Sequence, residues 1–318
     1  MENTRTNGTP AKTSWRPYIV LAIGLLAVSS SSIMTRFAQS DGASSLLISA
    51  WRVAVATIVL TPIVLTKYRK ELRGLDRKTL ALALVSGLFL AIHFAAWITS
   101  LEYTSVLSSV VLVNTNPLWV ILATPFFLHE RVNPVTMVAV LVAVVGGLLV
   151  SAAGGAGTAI HQNAPLLGNG LAVVGALGVA VYYLIGRRLR ATVSLIPYIW
   201  LTYGFAALVL IVVVLLTRQP ITGLKGDAYF WMTWIGLIPQ LIGHSSLNYA
   251  LGYLSAAYVS LTILGEPIGS TILAIFLLNE YPSGVQLLGG VLILAALILA
   301  SRAEYQMARA VEQEAPVG

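Results

Sequence analysis

The sequence predicts an all-α integral membrane protein: ten transmembrane helices forming two inverted five-helix repeats, with both termini in the cytoplasm. Three observations carry this. Of 318 residues, 57% are hydrophobic and 10% charged, where ordinary globular domains carry about 25% charged, and mean hydropathy is +0.84. The apolar runs approach the roughly 20 residues needed to cross hydrocarbon. The chain also matches itself when shifted by 150 residues.

Taken in order, ten apolar segments lie at about 18–38, 44–66, 79–99, 104–128, 132–152, 166–187, 194–217, 229–249, 254–278 and 284–302. None alternates apolar and polar residues as barrel strands do. Short connections make successive helices antiparallel neighbours. The polar head before residue 18 precedes an apolar run too long for a signal-peptide core. The chain has no cysteine, which excludes disulfides and thiolate metal sites.

Charge sets the orientation. With residues 1–17 as a cytoplasmic tail, the inner segments hold 15 of the 19 Lys and Arg, chiefly the cluster from Lys67 to Lys78 and Arg187, Arg188 and Arg190. The outer loops hold Arg36, Arg218 and Lys225. That asymmetry is the positive-inside bias, so the net charge of +7 needs no nucleic-acid partner. The expected surroundings are a lipid bilayer, in the inner (plasma) membrane of the cell.

The internal match is specific in its polar residues. Tyr103 falls on Tyr253, Pro117 on Pro267 and Glu130 on Glu280. Residues 18–152 and 168–302 read as two repeats. An extracytoplasmic linker, 153–167, joins them, and a cytoplasmic tail, 303–318, follows. Five helices per repeat is odd, so the second repeat enters from the opposite face. Inverted repeats with paired helix interruptions mark secondary transporters, with the site near the midplane. Pro117 and Pro267 are the candidate interruptions.

The segments Leu128–Val132 (LHERV), Glu266-Pro267, Leu278–Pro282 (LNEYP), Trp51–Ala56 (WRVAVA) and Asn248–Ala257 (NYALGYLSAA) resemble the EamA domain. Two such domains make the ten-helix branch of the drug/metabolite transporter superfamily, and the likeness covers about residues 18–302. It implies export or exchange of small metabolites such as amino acids, and leaves the substrate open.

Two charged residues lie well inside helices: Arg52 in the second and Glu266 in the ninth. Each costs at least about 2.5–3.5 kcal/mol in lipid, so both are expected to face protein or water. At 1.5 Å per residue they sit ~12 and ~18 Å from the outer ends of their helices. They are either a structural pair or a clamp, Arg52 for a substrate carboxylate and Glu266 for its amine. Tyr258, Thr262 and Glu266 recur every four residues and predict one polar stripe. Gln240, His244 and Asn248 predict a second. His93 and Trp97 in the third helix, and Asn116 in the fourth, complete the candidate substrate site. Asn116 is the repeat mate of Glu266. Glu130 and Glu280 follow the fourth and ninth helices and are expected to cap the next helix. Gly146-Gly147 and Gly289-Gly290 read as packing surfaces.

No phosphate loop, HExxH or GxSxG motif occurs, so no catalytic, metal or cofactor site is expected. The leading expectation is a secondary transporter of amino acids or related amines. The alternative is an integral-membrane enzyme acting on a lipid or prenyl substrate, which would want several carboxylates at one membrane face.

Overall fold

A computed structural model describes residues 15–104, 109, 112–130, 132–153, 164–266, 268–269, 272–273 and 283–314. Every element it describes is helical. Pro267 and Glu280 lie outside the described residues.

The first span is α1 (Arg16–Ser29) and α2 (Ser31–Ser40), broken at Ser30, whose hydroxyl donates to Ala27 O (2.8 Å). Then come α3 (Ser45–Lys67), the short α4 (Arg69–Gly74) and α5 (Arg77–Tyr103). α3 starts at Ser44, whose hydroxyl accepts from Leu47 N, and α5 starts at Asp76, whose carboxylate accepts from Thr79 N. Both are the expected N-cap chemistry. α6 (Asn116–Phe127), α7 (Pro134–Ala153), α8 (Pro165–Arg190) and α9 (Leu195–Leu216) follow. The eighth span is composite: α10 (Gly226–Ile235), a π-helical segment (Gly236–His244) and α11 (Ser245–Ala250). α12 (Ala256–Ile263) and α13 (Gly284–Glu314) close the chain. α13 carries helix through most of the expected tail.

Among the described residues, six helices are long and apolar enough to cross a membrane, counting Arg16–Ser40 as one; α6 and Pro134–Leu149 are shorter apolar helices. Their outer faces are apolar as well. On α7, Val138, Leu141, Val145 and Leu148 are all exposed, a surface that only lipid can solvate.

The two halves interlock. α5 packs along α8, and α1 packs along the π segment and α11. α3 lies on α9, and α7 on α13. These pairings exchange into one another, or into themselves, when each helix is replaced by its mate five spans away. One end of the bundle gathers Lys225–Asp41 and Thr104–Asn169; the other gathers Glu130–Arg187, Glu71–Ser194 and Ser255–Glu304.

Lipid offers no hydrophobic drive between helices, so small residues and close packing hold them. A Cβ built on Gly146 meets Gly289 O at 2.7 Å and Ile293 Cγ1 at 2.9 Å; one on Gly147 or Gly290 meets nothing. The α7–α13 contact therefore runs through Gly146 and Gly289. Gly146→Ala should lower the thermal midpoint of detergent-solubilised protein, by an overpacking cost of about 1–3 kcal/mol. Gly147→Ala should leave it unchanged or higher. Equal effects would sink this assignment.

Candidate functional site

The centre of the bundle holds a cavity built from both halves. Its lining includes Ser31, His93, Trp97, Asn114, Asn116, Tyr183, His244 and Glu266. Space for the centres of water-sized molecules amounts to about 40 Å³, enough for a few waters at about 10–15 Å³ each. Admitting a metabolite requires the walls to move.

Helix breaks place the key groups. After a turn at Asn114 and Thr115, α6 restarts at Asn116 with Pro117 in its first turn, where the missing N–H costs nothing. In the second half a turn at Leu264 and Gly265 ends α12 and Glu266 restarts helix. The Ser29 hydroxyl donates to Glu266 O (3.2 Å) and ties this break to α1. Repeat mates Asn116 and Glu266 thus both stand at a break and both line the cavity. Glycines admit the α5 wall: a Cβ on Gly178 would meet Phe89 O and His93 N at 3.0 and 3.1 Å.

Several polar atoms in this largely apolar lining are unsatisfied. His93 Nδ1 lies 2.8 Å from Gly175 O, which only accepts, so Nδ1 carries the proton. The His93 and Trp97 rings stack at 5.9 Å and 12°. Trp97 Nε1, Asn116 Oδ1, Tyr183 Oη and His244 Nδ1 are buried and have no partner among the described residues. Among the described residues nothing ion-pairs with or hydrogen-bonds the Glu266 carboxylate. Buried polar groups are otherwise almost always paired, so this cluster is suited to water or a polar solute.

Arg52 stands behind this wall. It is fully buried, and Nε donates to Gln240 Oε1 (3.0 Å) while NH1 donates to Ser31 Oγ (3.4 Å). Its guanidinium lies 3.9 Å over the Phe94 ring, a cation–π contact. Of the two readings, structural pair or clamp, the geometry places Arg52 on Gln240 and Ser31, outside the cavity lining.

The two predicted stripes separate. Because the π segment takes an extra residue per turn, only His244 reaches the cavity; Gln240 turns to Arg52. Asn248 Nδ2 donates to Tyr182 Oη (2.5 Å) and Tyr203 Oη (3.3 Å), a buried network that sequence reasoning missed. Tyr258 bonds Ser301 Oγ (2.5 Å), and the Thr262 hydroxyl donates to Tyr258 O (3.0 Å); neither lines the cavity. The turn at Leu264–Gly265 breaks their register with Glu266. Glu130 was expected to cap the next helix; it pairs instead with Arg187 (3.3 Å), and Asn133 Oδ1 accepts from Val135 N (2.8 Å). Tyr183 and Ser31 were not assigned to the site by sequence. Tyr183 had a signal in its place on a helix whose Gly175 and Gly178 allow close approach.

Arg52→Met should leave Gln240 Oε1 and Ser31 Oγ without their donor, at about 1–3 kcal/mol. We expect a lower thermal midpoint and equal proportional loss of uptake for an amine and an amino acid in liposomes. Selective loss of the amino acid, with stability intact, would restore the clamp.

Comparison with known proteins agrees with this architecture. A family profile described as the EamA-like transporter family matches residues 15–152 and 166–302. A protein of Clostridium kluyveri named "Uncharacterized transporter" is 23% identical over 71% of this chain and 73% of its own. The riboflavin transporter of Brucella anthropi is 26% identical over 43% of this chain and 47% of its own. A solved structure titled "Crystal structure of protein" superposes with TM-score 0.74 at 18% identity, covering 92% of this chain and 98% of that one. Its likeness concerns the fold alone. With both halves matched, the chain is a multi-pass membrane protein that belongs to the EamA-like transporter family.

Proposed function

We propose that the protein is a ten-helix secondary transporter, an exporter or exchanger, of small metabolites that carry an amine, such as amino acids or related amines. The observation that carries this reading is the Glu266 carboxylate, unpaired among the described residues, in a cavity where Trp97, Asn116, Tyr183 and His244 each present an unpartnered polar atom. An ammonium group satisfies the carboxylate, and the hydrogen-bonding atoms of Trp97, Asn116, Tyr183 and His244 accommodate the rest of the solute. The His93–Trp97 stack offers a flat aromatic surface beside it.

The two repeats are inverted, both termini face the cytoplasm, and the protein resides in the inner (plasma) membrane. Support comes from the arginine-rich end of the bundle and from the exchange of helix pairings between halves. Access alternates as the halves rock about the cavity, and a proton on Glu266 exchanges with the cationic solute.

Two experiments test this. Glu266→Gln keeps shape but removes the charge. Reconstituted in liposomes, the variant should remain folded and lose pH-driven accumulation of amines, by tenfold or more if the lost ion pair is worth about 1.4 kcal/mol. Full accumulation by the variant would defeat the assignment. Single cysteines test the orientation. One within 153–167 should react with an impermeant reagent added outside and one within 67–78 should not; the opposite pattern would overturn it.

A further inference from the structure

A second cavity opens at the arginine-rich end of the bundle. It offers about 380 Å³ for the centres of water-sized molecules, far more than the central one. Its walls include Phe127, His129 and Glu130 from the first half, and Arg187, Arg188 and Gly252 from the second. His129 takes a left-handed conformation (φ 57°), turning the chain sharply out of α6 just before Glu130.

The two cavities share walls. On α8, Val179 and Tyr183 line the central cavity and Arg187 lines the outer one. These residues are four apart and so share one helix face, which places Arg187 ~6 Å further along the axis than Tyr183. α6 begins at the central cavity with Asn116 and ends at the outer one with Phe127. The eighth span passes His244 in the first cavity and then leads to Gly252 in the second.

Arg187 is held on both sides of the outer cavity. Its Nε meets Glu130 Oε1 at 3.3 Å, and NH1 donates to Leu251 O at 3.1 Å. One guanidinium thus ties the segment after α6 in the first half to the second half. The pair is a single contact between partly exposed groups (26% and 38%). Such pairs are weak, about 0–1 kcal/mol, and yield to a competing anion. Arg188 beside it is exposed and has no partner among the described residues.

We infer that this outer cavity is a docking site for small carboxylate-bearing solutes, anionic or zwitterionic. There the solute's carboxylate takes Glu130's place on Arg187, with Arg188 as the second cation. Arginine suits this because its planar fork matches a carboxylate. The exchange releases the tie between the halves at this end, so docking and opening are one event. The cavity's identity as the cytoplasmic vestibule rests on the orientation proposed above; the docking itself does not.

The test is binding, read without transport. Benzoate and benzylamine serve as anionic and cationic probes, measured by saturation-transfer NMR on the full chain in nanodiscs of uncharged lipid. Benzoate should bind the protein and benzylamine should not compete. Arg188→Gln should weaken benzoate about fivefold, the size of one exposed ion pair near 1 kcal/mol. Glu130→Gln should tighten it about as much, because it removes the competitor; a merely structural Glu130 would give no gain. Benzoate binding unchanged in Arg188→Gln, or weakened in Glu130→Gln, would overturn the inference. Because Arg188 is exposed, its variant keeps the test open if Glu130→Gln fails to fold. Failed amine transport with these binding shifts intact would count against Glu266 and leave this site standing.

Discussion

A guanidinium and a carboxylate must be housed in a bundle that lipid solvates from outside, and much of the architecture follows from how each is accommodated. Neither can face hydrocarbon cheaply. Arg52 is enclosed by protein: Gln240 and Ser31 accept from it and the Phe94 face covers it. Glu266 is left with a cavity in place of a partner. The two groups therefore do different work. The guanidinium fastens the first and second spans to the eighth, which lies across the repeat boundary. The carboxylate, without a partner among the described residues, lines the central cavity.

Interrupted helices make that cavity possible. In a membrane, backbone that leaves regular helix must be satisfied by protein or line a water-filled space. The breaks before Asn116 and Glu266 and the π segment at Gly236–His244 meet the same cavity from three sides. Each break aims a side chain that a continuous helix would have turned elsewhere. Interruption and polarity are thus coupled, and the scaffold pair α7–α13 remains regular and glycine-packed.

This coupling also explains what the sequence could and could not reveal. Helical spans, the family resemblance and the singular place of Glu266 were legible because composition and periodicity report on the solvent. Asn116 was legible through its repeat mate. The stripes were not: a four-residue spacing assumes a regular helix, and the π turn sends Gln240 to Arg52 and only His244 to the cavity. The same applies to Tyr258 and Thr262, which precede the turn at Leu264–Gly265. Arg187 and Glu130 are 57 residues apart, and nothing local joins them. Their contact depends on how the halves pack, which no single-helix pattern encodes.

The bundle holds a small cavity at its centre and a wider groove at one end. The cross-repeat ties at the two ends, Lys225–Asp41 (3.4 Å) and Arg187–Glu130 (3.3 Å), are both weak, partly exposed pairs. Neither holds its end of the bundle together by much. A strong buried pair at either end would trap one state, since breaking such a pair costs about 3–5 kcal/mol. Arg52, the one fully buried guanidinium among the described residues, lies instead at the centre of the bundle. The fully buried polar ties thus lie at the centre of the bundle and the partly exposed ones at its ends.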